Sequence, residues 1–191
     1  NQDALALFEY HHLKKDRKTV MISLLGSENL KTYPLEFMAK VVDFIADNQN
    51  VNILFNYFPK QIKDAKIVFD ACKPSTQEKI YFDLLGNDLR SFIAIMNNCD
   101  LIIGNDGGAI NMAKALKKPT FIIFSPWIEK KIWATLEDGL HHISVHLNDF
   151  KPQLLANKTE KELKKNALSL YQEFEPELIK FKIELFLKQN L

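Results

Sequence analysis

Residues 101–115 read Leu-Ile-Ile-Gly-Asn-Asp-Gly-Gly-Ala-Ile-Asn-Met-Ala-Lys-Ala, and few folds accommodate such a string. A short apolar run ends in Gly104. A carboxylate and two adjacent glycines follow, and then a stretch of mostly small or apolar residues. This is the pattern of a buried strand that turns directly into a helix packed on its own sheet. Such a turn leaves unpaired backbone N–H groups and a positive dipole end at the sheet's carboxyl edge. Open α/β sheets bind phosphorylated ligands there. Glycine lets the backbone turn tightly and approach a ligand closely. The string therefore points to a nucleotide or sugar-nucleotide site.

The rest of the chain repeats the alternation. Apolar, β-branched runs at 19–24, 51–57, 79–84, 100–103, 119–124 and 141–147 read as six strands. Helical stripes lie between them. Met38, Val41, Val42 and Ile45 follow Pro34, which suits a first helical turn. Ile62, Ala65, Val68 and Phe69 share one face of 61–72. Leu89, Phe92, Ile93 and Met96 stand at i, i+3, i+4 and i+7 behind Asp88, a good N-cap. Strand–helix alternation at this interval predicts an α/β fold: a Rossmann-like, doubly wound parallel sheet of about six strands. Residues 1–18 read as a partly helical lead-in from something upstream, and 19–150 as the Rossmann-like domain. Residues 151–191 read as a Lys/Glu-rich helical tail. Its first helix, from Thr159, carries Leu163, Ala167, Leu170, Tyr171 and Phe174, and Pro176 starts a second.

Composition excludes several classes. The chain has 191 residues, enough for one domain with a real core, and a net charge of +1. No global field draws it to nucleic acid, and no apolar run is long enough for a transmembrane segment. Cys72 and Cys99 sit in no metal-ligand spacing and are expected to be free, buried thiols. The adjacent His11 and His12 lack a nearby third ligand, so no metal is expected; nor is any cofactor. The chain opens on Asn1 without a methionine, which suggests a missing N-terminal domain.

The candidate ligand residues form two clusters. Asn105, Asp106, Gly107, Gly108 and Asn111 occupy the motif; Asp106 suits both a functional carboxylate and a helix N-cap. Gly26, Ser27 and Lys31 follow the first strand, on the same sheet edge. A lysine there can neutralise a diphosphate as a point charge. Neither the dinucleotide fingerprint nor a P-loop is present. Trp127 and Trp133 read as core or interface residues, and His141, His142 and His146 as surface residues of a late strand.

Residues 89–120 resemble glycosyltransferase family 9, the heptosyltransferases. That family carries a helix, a short strand, an Asp-Ser/Thr-Gly-x-x-His-x-Ala-x-Ala string and a Pro-initiated strand. The loop from Gly26 to Pro34 and the Ser125-Pro126-Trp127 turn also resemble family loops, so the likeness runs over about residues 19–133. The resemblance implies the C-terminal domain of a two-domain GT-B enzyme, with a catalytic base outside this chain. It implies that Asp106 is the motif aspartate and that the Gly108 backbone meets the donor diphosphate. Lys31 then faces the phosphates, Ser27 shares its loop, and Asn87 falls near the adenine. Gly107 stands where the family has Ser or Thr, and Asn111 where it has His.

The implied activity is inverting transfer of a sugar from a nucleoside-diphosphate sugar, ADP-heptose-like. The acceptor would be a lipopolysaccharide-type, other glycan or lipid-linked one. The implied place is the bacterial cytoplasm, at the inner face of the inner membrane. Two alternatives stand beside it. One is a non-catalytic partner module on a degenerate transferase fold, motivated by Gly107 and Asn111. The other is a GT-B-like sugar-nucleotide epimerase.

Overall fold

A computed structural model describes residues 2–191. Asn1, the first residue of the expected lead-in, lies outside the described residues. Six strands form one sheet: β1 (Lys18–Ser23), β2 (Val51–Asn56), β3 (Ile80–Tyr81), β4 (Leu101–Asn105), β5 (Thr120–Ile123) and β6 (His142–Val145). Their order is β3-β2-β1-β4-β5-β6, and every pairing is parallel. The helices are α1 (Gln2–Tyr10), α2 (Leu35–Asn48), α3 (Ile62–Ala71), α4 (Pro74–Gln77), α5 (Leu89–Asn97), α6 (Gly108–Ala115), α7 (Lys130–Trp133), α8 (Glu160–Lys165), α9 (Ala167–Gln172) and α10 (Glu177–Asn190).

Alternate strand residues point to opposite faces, and both faces are covered. Val20, Ile22, Ile53, Phe55, Leu101, Ile103, Phe121 and Ile123 join α2, α3 and α10 in one core. Met21, Leu54, Ile102 and Ile122 join α1, α5 and α6 in the other. Two covered faces explain why the strands read as continuous apolar runs rather than alternating ones. Each fully buried aliphatic or aromatic side chain contributes about 1.5–3 kcal/mol. Phe186 of α10 stacks on Phe121 with centroids 5.6 Å apart, so the tail belongs to the main core. The lead-in packs on the opposite face: Ala4 of α1 is buried in the second core.

Three expectations change. The third strand covers only Ile80–Tyr81, not 79–84. It pairs on one side only, with β2, and Phe82 leaves the ladder to pack on Phe55, Tyr57 and Phe69. The helix from Thr159 breaks at Asn166, giving α8 and α9. The Asn166 amide donates to the Glu162 carbonyl at 2.8 Å, a side-chain bond that competes with the helical ladder. The capping box at Thr159 and Glu162 starts α8, and Ala167, Leu170, Tyr171 and Phe174 are buried. His146 is not a surface residue. It is buried, its Nδ1 accepts from the Asn148 N–H, and its Nε2 lies 3.1 Å from the Ser125 carbonyl. Burial lowers its pKa. Cys72 and Cys99 are free and buried, and burial pushes the Cys72 thiol up to about 12.

Candidate functional site

The strand order reverses between β1 and β4. The chain runs off β1 towards β2 and off β4 towards β5, so the two loops diverge and leave a crevice at the carboxyl edge. Both sequence clusters arrive there. One is the Leu24–Pro34 loop, with its short turn at Asn29–Lys31; the other is the Asp106–Gly107 turn into α6.

Gly104 makes the close approach of β4 to β1 possible. Its φ is +140°, and a Cβ there would strike the Ser23 carbonyl oxygen. Only glycine accepts both conditions. Asn105 then ties the loops together. Its Oδ1 accepts the Tyr33 N–H at 2.7 Å, and its Nδ2 donates to the carbonyls of Leu24 at 2.8 Å and Ser23 at 3.2 Å. The side chain is fully buried and committed to backbone, so it holds the scaffold and presents nothing to the crevice.

Asp106 is half-buried. Burial raises its carboxyl pKa above the ordinary 3.8, against the opposing pull of Lys31, then Lys114 and the Gly107 N–H. Gly107 is extended (φ 168°) and precedes Gly108, the first residue of α6. A Cβ at either glycine would meet open space. The amino end of α6 is thus open to the crevice, with the unpaired N–H groups of its first turn and its positive dipole end. Lys31 is half-buried with its ammonium 5.5 Å from the Trp127 ring centroid. Partial burial strengthens its attraction for an anion relative to an exposed lysine.

Lys31, Asp106, Gly107 and Gly108 therefore converge. Ser27 is exposed on the same loop as Lys31, and Asn111 is exposed on α6. Asn87 is exposed behind β3, with β2 between that strand and β1.

Three contributors come from distant sequence. Trp127 is buried, and Lys164 of α8 stands over its ring at 4.4 Å, so two ammonium groups share one indole. Tyr171 of α9 is buried, and its hydroxyl makes no hydrogen bond of standard geometry. Burial raises its pKa, with Ser125 and Asp106 as its polar neighbours. Trp127 carried a sequence signal through its resembling loop. Lys164 and Tyr171 carried none, because a single lysine or tyrosine in a tail helix reads as solvated face or core. Trp127 also lines a cleft of about 660 Å³ together with Lys130, His146, Asn148 and Leu163.

The family model of glycosyltransferase family 9 (heptosyltransferase) matches residues 1–164, and the chain belongs to that family. The structure is similar to ADP-heptose lps heptosyltransferase II of Escherichia coli, with a TM-score of 0.64 and 16% identity over 91% of this chain and 52% of that one. It is similar to a family 9 glycosyl transferase from Veillonella parvula, with a TM-score of 0.63 and 18% identity over 90% and 51%. It is also similar to E. coli heptosyltransferase WaaC, solved with ADP, with a TM-score of 0.60 and 13% identity over 95% and 48%. The chain spans about half the length of these solved proteins. A search of curated protein sequences found no match. No described helix is long and apolar enough to cross a membrane.

Proposed function

We propose that this family 9 chain is the donor-binding half of an inverting, heptosyltransferase-like glycosyltransferase. One observation carries the reading: a half-buried lysine beside a half-buried carboxylate and an open helix amino end, all at the switch point of a parallel sheet. That set suits a nucleoside diphosphate. The diphosphate lies on the α6 N–H groups, and Lys31 neutralises it. When an acceptor hydroxyl attacks the anomeric carbon, negative charge grows on the leaving diphosphate. Donors already in place there lower the barrier without reorganising. Ser27, Asn87 and Asn111 line the approaches in this reading. The general base, the acceptor site and an N-terminal domain belong to the rest of the protein. A nucleotide of the ADP-heptose type is the first donor to test, and a cytoplasmic place follows from that donor.

Isothermal titration with ADP, UDP, CMP and ADP-heptose tests the proposal, on this chain and on the full-length protein. Micromolar binding of one diphosphate, weakened roughly ten- to 150-fold in Lys31→Ala, is expected. Failure of every nucleotide to bind the full-length protein sinks it. A second reading, a non-catalytic module, draws on Gly107 and Asn111, which lack the hydroxyl and imidazole of the family pattern. It requires that Lys31→Ala and Asp106→Ala leave the full-length protein's cellular role intact.

A further inference from the structure

The Lys31 turn is fastened by a different part of the chain. The carbonyl of Leu30, one residue before Lys31, accepts two hydrogen bonds. The Ser125 hydroxyl donates at 2.6 Å and the Trp127 indole N–H at 2.9 Å. A carbonyl has two lone pairs, so its capacity is filled. Both donors belong to the loop after β5, and both are buried. The indole that donates to Leu30 also lies against the Lys31 ammonium. One aromatic side chain thus fixes the peptide before the lysine and flanks the lysine's charged end.

The other side of the turn is tied as well. The Gly26 N–H donates to the Thr32 hydroxyl at 3.1 Å, and that hydroxyl donates to the Glu28 carbonyl at 3.0 Å. The Tyr33 hydroxyl donates to the Phe174 carbonyl at 2.5 Å. Those bonds shape the loop, while the two at Leu30 set the peptide that aims Lys31.

We infer that Ser125 and Trp127 are positioning residues for the phosphate site, holding the Leu30–Lys31 peptide so that Lys31 stands beside Asp106 before a ligand arrives. The inference rests on the donor-site reading above. Its physical content is preorganisation. A lysine that must be ordered on binding gives up conformational entropy, so a pre-set one binds about two- to tenfold tighter. Buried hydroxyl and indole groups need partners in any case, so a purely structural role predicts a stability loss and nothing more.

The test is a double-mutant cycle on the full-length protein. Trp127→Phe keeps a ring beside the lysine and removes the N–H; Ser125→Ala removes the hydroxyl. ADP and inorganic pyrophosphate, a probe that carries no base, are titrated into the wild type, each variant, Lys31→Ala and the double variants. Thermal melting is recorded beside each titration. The expected result is a two- to tenfold loss of affinity for both probes in Trp127→Phe and in Ser125→Ala. In the Lys31→Ala background either change has little further effect, because the two sites act as one. Folded Trp127→Phe and Ser125→Ala proteins that bind like the wild type overturn the inference alone. So does full additivity with Lys31→Ala. A wild type that binds neither probe nor any nucleoside diphosphate removes the donor-site reading, and this inference falls with it.

Discussion

The two loops that frame the crevice are built on opposite principles. The loop after β1 is bonded by side chains from β4, from the loop after β5 and from the segment after β2, where Gln61 donates to the Gly26 carbonyl at 3.0 Å. The turn after β4 has little of this. It holds a half-buried carboxylate and two glycines with open space where a Cβ would stand. The contrast teaches how charge is handled. A flexible cation must be aimed by its surroundings, whereas a helix amino end is already aimed and needs only clear access.

The strongest way to break the comparison lies in the strand just before the open turn. Gly104→Ala puts a Cβ at φ +140° and against the Ser23 carbonyl. Strain and overpacking together are expected to remove about 3 kcal/mol or more of stability, read by urea denaturation. A wild-type midpoint would show that β1 and β4 can part without loss.

Lys31→Ala comes next. Loss of a charged partner to phosphate is expected to weaken ADP binding by about 1.5–3 kcal/mol, or roughly ten- to 150-fold. Thermal stability should barely move, since this lysine is only half-buried and its ammonium stands 5.5 Å from the indole centroid. Equal losses in affinity and melting temperature would make Lys31 a structural residue.

Asp106→Asn probes the turn's carboxylate. Its pKa is raised above 3.8 in the folded state. The folded chain therefore holds this proton more tightly than the unfolded one. The stability this provides is complete below pH 3.8 and is lost as pH rises through the folded value. At pH 7 the ionised group opposes folding. Asp106→Asn is expected to melt higher than wild type at pH 7, with the gap closing towards pH 4. A constant gap across that range would mean that the carboxylate's charge is not what matters.

Gly107→Ser is the smallest change. The extended φ of 168° suits any residue, and the Cβ meets nothing. A gain of about 0.4–1 kcal/mol is expected from the stiffer unfolded chain. Destabilisation would show that the turn is tighter than it looks.

Much of this was legible in advance. Five of the six strands, the N-cap at Asp88 and the buried thiols follow from local periodicity and residue chemistry; the stripe read on α5 holds only in part, since Leu89 is exposed and Ile95, outside that stripe, is buried with Met96. That the Gly26–Lys31 and Asn105–Gly108 segments meet at one sheet edge was readable because each sits just past a recognisable strand. The short β3 was not, because pairing on one side is a property of neighbours. The break at Asn166 was missed because an asparagine in a helical stripe gives no sign of which carbonyl its amide will take. Asn105 looked like a ligand residue by adjacency. Its true partners, Tyr33, Leu24 and Ser23, are over 70 positions away in sequence.

By itself the sequence determined the kind of sheet, its loops and the family, since these depend on patterns repeated within tens of residues. The tertiary structure decided which glycine is obligatory and which is open, and which distant side chains aim Lys31. Those questions turn on how far apart two chain segments lie, and no local pattern records that distance.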